Sequence, residues 1–261
     1  MLHAAAVLHH LLGLRFGHPV HLFQVISSTN DHAKRLAEAG APEGLLVIAE
    51  SQTAGRGRAG RKWLTPPGAG LAFSLVLRPA PLNLPPERTA RLTMLAGLAV
   101  CESIEQVAGV RARLKWPNDI LIAGRKTGGI LAEAALQSGR VNYVVLGFGL
   151  NVSAAPLPEE VDFPATSLQA EAGRDVDRLI LLRAILANME ARYPTLTEPE
   201  LDREWRARLT MLEEPVVIQT LEGERRGRIE GVEADGALVV HLDTGETLRM
   251  LAGDVRLRPV R

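Results

Sequence analysis

Apolar positions change period along the chain, and each change marks an element. Residues 2–14 carry helical spacing and predict a short helix, 21–26 predict a strand, and Ser27-Ser28-Thr29-Asn30 is a run of capping residues ahead of a helix ending near Gly40. Residues 45–49 and 71–77 are unbroken apolar runs of strand length, while Pro85-Pro86-Glu87 opens a helix carried by Leu92, Leu95, Ala99 and Val107 as far as Gly109. Residues 113–116, 119–122, 128–134 and 143–150 then read as strands on short turns at Pro117-Asn118, Gly124 and Gly139. Strands joined this closely pair antiparallel, so the expected architecture is α+β, a mixed or antiparallel sheet with packed helices, rather than a doubly wound one.

Asp177 is placed to cap a helix through residue 191, and Thr197-Glu198-Pro199-Glu200 reads as a capping box for another through Leu209. Their apolar stripes (Leu179, Leu182, Ile185, Leu186, Met189; Leu201, Trp205, Leu209) are core-facing patterns. From Pro215 short strands alternate with turn signals at Glu222-Gly223, Asp235-Gly236 and Thr244-Gly245, which predicts a small barrel. The chain therefore divides into residues 1–213 and 214–261, and the second part is small enough to need the first as a support.

One stretch stands out against this grammar. Residues 50–63, E-S-Q-T-A-G-R-G-R-A-G-R-K-W, set three glycines (Gly55, Gly57, Gly60) among Arg56, Arg58, Arg61 and Lys62 directly after a strand. Glycine lets a backbone approach a ligand closely, and guanidinium groups grip phosphate or carboxylate oxygens in pairs, so the run has the chemistry of an anion-binding loop. Basic glycine-rich runs also serve as solvated loops or as contacts to nucleic-acid backbone.

Composition narrows the choice. Lys+Arg and Asp+Glu both number 30 in 261 residues, which argues against a protein that coats nucleic acid, and any positive field is local. The chain is 46% hydrophobic, an ordinary globular value. Cys101 is the single cysteine and falls in a helical apolar pattern, so it reads as a buried hydrophobe in a reducing compartment. No stretch approaches a membrane span, and residues 1–14 lack the basic start of a signal peptide, so a cytoplasmic location without membrane contact is expected. His3, His9 and His10 show no ligand spacing.

A second run decides the reading. Residues 114–131, L-K-W-P-N-D-I-L-I-A-G-R-K-T-G-G-I-L, followed by Gly147-Phe148-Gly149-Leu150-Asn151, stand in an order after the glycine/arginine loop that resembles the biotin protein ligases. The resemblance runs from about residue 23 to 209 for a catalytic module, which would resemble the class II aminoacyl-tRNA synthetases, and continues into an SH3-like C-terminal domain. It implies activation of biotin by ATP to biotinyl-AMP, then transfer to a lysine of a biotin carboxyl carrier protein. ATP, Mg²⁺ and biotin are the implied small molecules. No nucleic acid is implied as a partner, and a homodimer is one option. About twenty residues precede the first strand, too few for the winged helix of the family's repressors.

By resemblance, Ser28, Thr29, Asn30, Gln52, Gly55, Arg56, Gly57, Arg58 and Lys126 match biotin-binding positions, where hydroxyl and amide groups suit a neutral ureido ring. Arg56, Arg58, Trp63, Lys115, Asn118, Lys126 and Asn151 match positions about ATP and the adenylate. Arg56, Arg58 and Lys126 are the candidates for catalysis, and Asp119 is the candidate magnesium ligand. Each has a plainer reading beside it: Ser28, Thr29 and Asn30 as caps, Trp116 as core, Asn118 and Asp119 as turn residues, Lys115 as a solvated strand residue. Two alternatives remain: a lipoate or octanoate ligase, whose apolar ligand would not need the hydroxyl and amide cluster, and a nucleic-acid module, which would want more than 4% aromatics for stacking.

Overall fold

Seven strands form the main sheet in the order β1-β2-β3-β7-β6-β5-β4: β1 (Val20–Ile26), β2 (Leu46–Gln52), β3 (Gly70–Leu77), β4 (Arg113–Lys115), β5 (Asp119–Ile122), β6 (Arg125–Gln137) and β7 (Arg140–Asn151). The computed structural model describes residues 1–261 apart from 65, 162, 221–222, 234, 252–255 and 260–261. β1 and β2 run parallel because a helix, α2 (Thr29–Glu38), carries the chain back between them; all other neighbours are antiparallel. The α+β expectation and the mixed sheet are thus met.

The two faces of the sheet differ. Leu46 and Ile48 of β2, Leu71, Phe73, Leu75 and Leu77 of β3, and Val144, Leu146, Phe148 and Leu150 of β7 face one large core, where Phe73 and Phe148 stack at 4.4 Å. Over that face lie α1 (Ala4–His10), α3 (Ala90–Ala108), α5 (Arg178–Arg192) and α6 (Pro199–Arg208), which contribute Val7, Leu92, Leu95, Leu182, Ile185 and Trp205 to the same core. The opposite face is only partly covered. There α2 buries Ala33 and Ala37 against Val47, Val76, Tyr143 and Val145, and beyond its N-terminus the sheet stays open. This double burial explains why β3 and β7 read as continuous apolar runs rather than alternating ones.

A second sheet holds β8 (Pro215–Thr220), β9 (Gly223–Val232), β10 (Leu238–Leu242), β11 (Thr247–Met250) and β12 (Arg256–Pro259) in the order β11-β10-β9-β8-β12, antiparallel throughout. Val216, Ile218, Ile229, Leu238 and Val240 join the main apolar core, Trp116 Nε1 donates to Gly236 O at 3.0 Å, and Arg206 donates to Glu230 O at 2.8 Å. The expected support from the larger unit is present.

Several expectations need correction. β12 has no sequence forerunner, since its Arg-Leu-Arg-Pro carries no apolar run. The capping box at Thr197 is absent: Pro199 occupies the first helical position, which makes Glu198 the N-cap, and no side chain caps the helix. The helix expected from Pro85 begins with a single 3₁₀ turn, Pro86–Arg88, before α3. β6 and β7 extend well past their apolar centres because their pairing continues through polar positions to Gln137 and Arg140. The turn expected at Glu222-Gly223 falls partly outside the described residues. Cys101 is buried as expected, and burial pushes its thiol up to about 12, so it is inert. Among the described residues no helix is long and apolar enough to cross a membrane.

Candidate functional site

The open part of the sheet is a floor made by small side chains. Cross-strand partners share a face, and one row runs Ala49, Ala72, Gly149, Gly129, Asp119, Lys115 across β2, β3, β7, β6, β5 and β4. The next row, toward α2, is Val47, Ser74, Gly147, Leu131. The glycines are there for space: a Cβ on Gly147 would lie 2.0 Å from Asn30 Oδ1, and one on Gly149 would lie 2.4 Å from the Trp63 ring. Above this floor is a cleft of about 360 Å³.

One end of the cleft is neutral and polar. Ser28 caps α2 by accepting from Asp31 N at 3.3 Å, so the plain capping reading holds for that residue. Thr29 donates to Gln52 Oε1 through its backbone N at 2.8 Å and its hydroxyl at 3.1 Å. Ser74 Oγ lies 2.8 Å from Thr29 Oγ1 and 2.6 Å from Asn30 Oδ1, and its one hydrogen can serve only one of them at a time. Asn30 Nδ2 donates to Glu133 at 2.8 Å and to Leu131 O at 3.3 Å.

The other end is cationic. Lys126 Nζ sits 2.5 Å from Asp119 Oδ1 and 5.7 Å from the centre of the Trp63 ring, while Lys115 Nζ is 3.8 Å from Asp119 Oδ2 and 4.8 Å from the Phe163 ring. The glycine/arginine loop closes over this end as a narrow hairpin: Arg56 bridges Lys62, Gly57 N donates to Arg61 O at 2.7 Å, and Trp63 N donates to Gly55 O at 2.9 Å. Its tip is a 3₁₀ turn, Arg58–Gly60, with Ala59 left-handed at φ 51. Burial lowers the Arg58 guanidinium below its usual value, repulsion from Arg61 adds to that, and Asp119 opposes it. The group remains cationic at neutral pH.

Ser28, Thr29, Asn30, Gln52, Arg56, Gly57, Arg58, Trp63, Lys115, Asn118, Asp119, Lys126 and Asn151 all line the cleft. Gly55 does not. It lies behind the wall, where a Cβ would meet Trp63 O at 2.7 Å. Asn118 donates to Ile130 O at 2.6 Å and accepts from Ile130 N at 3.0 Å, which is the turn-fixing role. Trp116 is 3% exposed and belongs to the core. Three contributors were not singled out in the sequence: Ser74, Glu133 and Phe163. Ser74 had a signal, since it is the one hydroxyl in the otherwise apolar Gly70–Leu77.

Among the described residues two buried side-chain polar atoms lack a partner, Trp63 Nε1 and Asn151 Oδ1, and both belong to the cleft. An unmet buried group costs about 1–3 kcal/mol, so a water or ligand atom that reached either one would relieve that cost.

Comparison with known proteins agrees with this geometry. Residues 22–151 match the biotin/lipoate A/B protein ligase family and residues 211–258 the biotin protein ligase C-terminal domain. The bifunctional ligase/repressor of Bacillus subtilis is 39% identical over 239 residues, spanning 89% of this chain and 72% of that protein. The biotin–[acetyl-CoA-carboxylase] ligase of Paracoccus denitrificans is 37% identical over 226 residues, 84% of this chain and 92% of that one. Among solved structures, the biotin protein ligase from Aquifex aeolicus in complex with biotin and ATP superposes with a TM-score of 0.76 at 30% identity, covering 92% of this chain and 99% of that one. With a relative this similar over most of its own length, the chain belongs to the biotin protein ligase family.

Proposed function

We propose that the cleft activates biotin with ATP to biotinyl-AMP and passes the biotinyl group to a lysine of a biotin carboxyl carrier protein. The observation that carries the reading is the division of one cavity into a neutral hydrogen-bonding end and a cationic end. The ureido ring, with two N–H donors and one carbonyl, suits Thr29, Asn30 and Gln52, with Ser74 buried behind Thr29 and Asn30. The carboxylate then lies toward Arg58 and Lys126; Arg56, expected with them, has its guanidinium engaged by Asp31. An octanoyl chain offers no polar group to Thr29, Asn30 or Gln52, and the relatives carry biotin rather than lipoate names.

In the first step a carboxylate oxygen forms a bond to the α-phosphorus and the bond to pyrophosphate breaks. Two anions must meet, so the work of the protein is positioning and charge compensation. Arg58 and Lys126 supply positive charge at one wall, and Asp119 fixes the Lys126 ammonium through its 2.5 Å contact. In the second step a lysine amine attacks the acyl carbon and AMP leaves. The donor set fits a magnesium ion carried mainly by the triphosphate, because Asp119 is a single carboxylate with Oδ1 engaged by Lys126, and the described residues hold no group of three metal-ligating side chains. Such an ion would meet Asp119 and would neutralise phosphate charge when bound. We assign residues 1–213 to a catalytic domain of the class II synthetase type and 214–261 to an SH3-like domain, a division supported by the separate sheets.

ATP/pyrophosphate exchange measured with biotin, lipoate and octanoate in turn tests the reading. Exchange with biotin alone is expected; exchange with octanoate as fast as with biotin would overturn it. Arg58→Gly is expected to weaken retention of the reactive anhydride more than it slows its formation, because Lys126 still opposes the phosphate charge. Losing one charge-assisted contact, about 1.5–3 kcal/mol, corresponds to roughly ten- to hundredfold faster escape. The variant should then biotinylate an unrelated lysine-rich protein mixed with it, and labelling confined to the carrier protein would refute this role.

A further inference from the structure

Arg56 lines the cleft, but its guanidinium is held from outside it. Its Nη2 forms an ion pair with Asp31, in the first turn of α2, and lies 3.8 Å from Glu133 Oε2 on β6. Glu133 in turn accepts from Asn30 Nδ2 at 2.8 Å and from Lys34 Nζ at 3.1 Å. Charges therefore alternate along Lys34, Glu133, Arg56 and Asp31, and Asn30, inside the neutral half of the cleft, joins this series at Glu133. Burial opposes ionisation of Glu133, but the Asn30 and Lys34 hydrogen bonds and the charges of Lys34 and Arg56 carry it below the usual carboxylate range, so this anion is fully present at neutral pH.

We infer that Asp31 and Glu133 form a carboxylate bracket that positions Arg56, and through it the glycine hairpin, over the cleft. They are positioning residues, and the inference rests on the reading of the cleft given above. The hairpin is already folded, with Arg56 bridged to Lys62 and Trp63 seated against Gly149, so the bracket grips the closed form at its base. Neither carboxylate lines the cleft. Their removal should loosen the cover of the adenylate without removing any group that meets the reacting atoms. Arg56 and Asp31 are 44% and 41% exposed, so the contact is a screened one of modest strength.

Asp31→Asn is the cleaner variant, because Glu133→Gln would also disturb Asn30 and Lys34. Two quantities separate the roles: biotin-dependent ATP/pyrophosphate exchange, and the rate at which labelled biotinyl-AMP leaves the protein after a chase with unlabelled biotin. Exchange at saturating substrate should stay within about twofold of the unsubstituted protein, while escape should rise roughly two- to fivefold, the range for one exposed ion pair. In about 1 M salt, where the screening length falls to about 3 Å, the difference should vanish, and Asp31→Glu should restore slow escape. Unchanged escape from the folded variant would overturn the bracket, as would a parallel fall in exchange and escape. Absence of biotin-dependent exchange in the unsubstituted protein would overturn instead the reading of the cleft on which the bracket depends.

Discussion

Replacement of Lys126 by alanine is expected to lower biotin-dependent pyrophosphate exchange about 100- to 1000-fold, the loss of roughly 2.7–4 kcal/mol seen when one preorganised donor to a developing charge is removed. Its ammonium is held in place by Asp119 at 2.5 Å and is flanked by the Trp63 ring, so it meets the phosphates without having to be ordered first. The fold should survive, because Lys115 stays 3.8 Å from the Asp119 carboxylate and keeps a compensating charge beside it. Lys126→Arg retains the charge but changes its shape and reach, and should recover part of the rate. A folded Lys126→Ala protein with near-normal exchange would remove the central element of the proposed mechanism.

The largest stability effect is expected far from the cleft, at Arg91. This side chain is 1% exposed, donates to both Asp202 oxygens at 2.6 and 2.8 Å, and donates also to Leu196 O and Glu198 O at 2.7 and 2.6 Å. It ties the start of α3 to the turn before α6. Arg91→Leu leaves four acceptor oxygens without their donor, two of them on an Asp202 carboxylate that is 32% exposed and can turn to water, so the cost is expected at about 1–3 kcal/mol. The test is the midpoint of urea unfolding, followed by a probe of the helical core. A shift equivalent to less than about 1 kcal/mol would show that water or neighbouring groups replace the guanidinium.

Arg91 also shows where sequence reasoning stops. In the helical pattern around Leu92, Leu95 and Ala99 a charged residue reads as solvent-facing, and only the arrival of residues 196–202 from the distant α5–α6 connection turns it into a buried hub. The cationic end of the cleft was legible because its parts are local runs: the glycine loop and the K-W-P-N-D segment each carry their own turn chemistry. The neutral end was legible only in part. Ser28, Thr29 and Asn30 sit together in sequence, but Ser74 and Glu133 reach them through the β3–β7 and β6–β7 pairings. Which strands lie side by side is set by packing over long sequence separations, and no local propensity encodes it. The same reason hid the parallel β1–β2 pair and the edge strand β12, while the capping error at Thr197 came from weighing side-chain hydrogen bonds above the stronger constraint of Pro199.

The glycine-lined floor has a consequence for how this protein can be altered. Gly129, Gly147 and Gly149 have no side-chain atoms left to lose, and the space over Gly147 and Gly149 is taken by Asn30 and Trp63. Mutation at these three positions can proceed in one direction only, toward added atoms. A variant selected to accept a bulkier carboxylic acid must therefore draw its changes from other lining positions, where Leu131 and Phe163 have atoms to lose. Sequencing the survivors of such a selection should find those positions changed and the three glycines untouched.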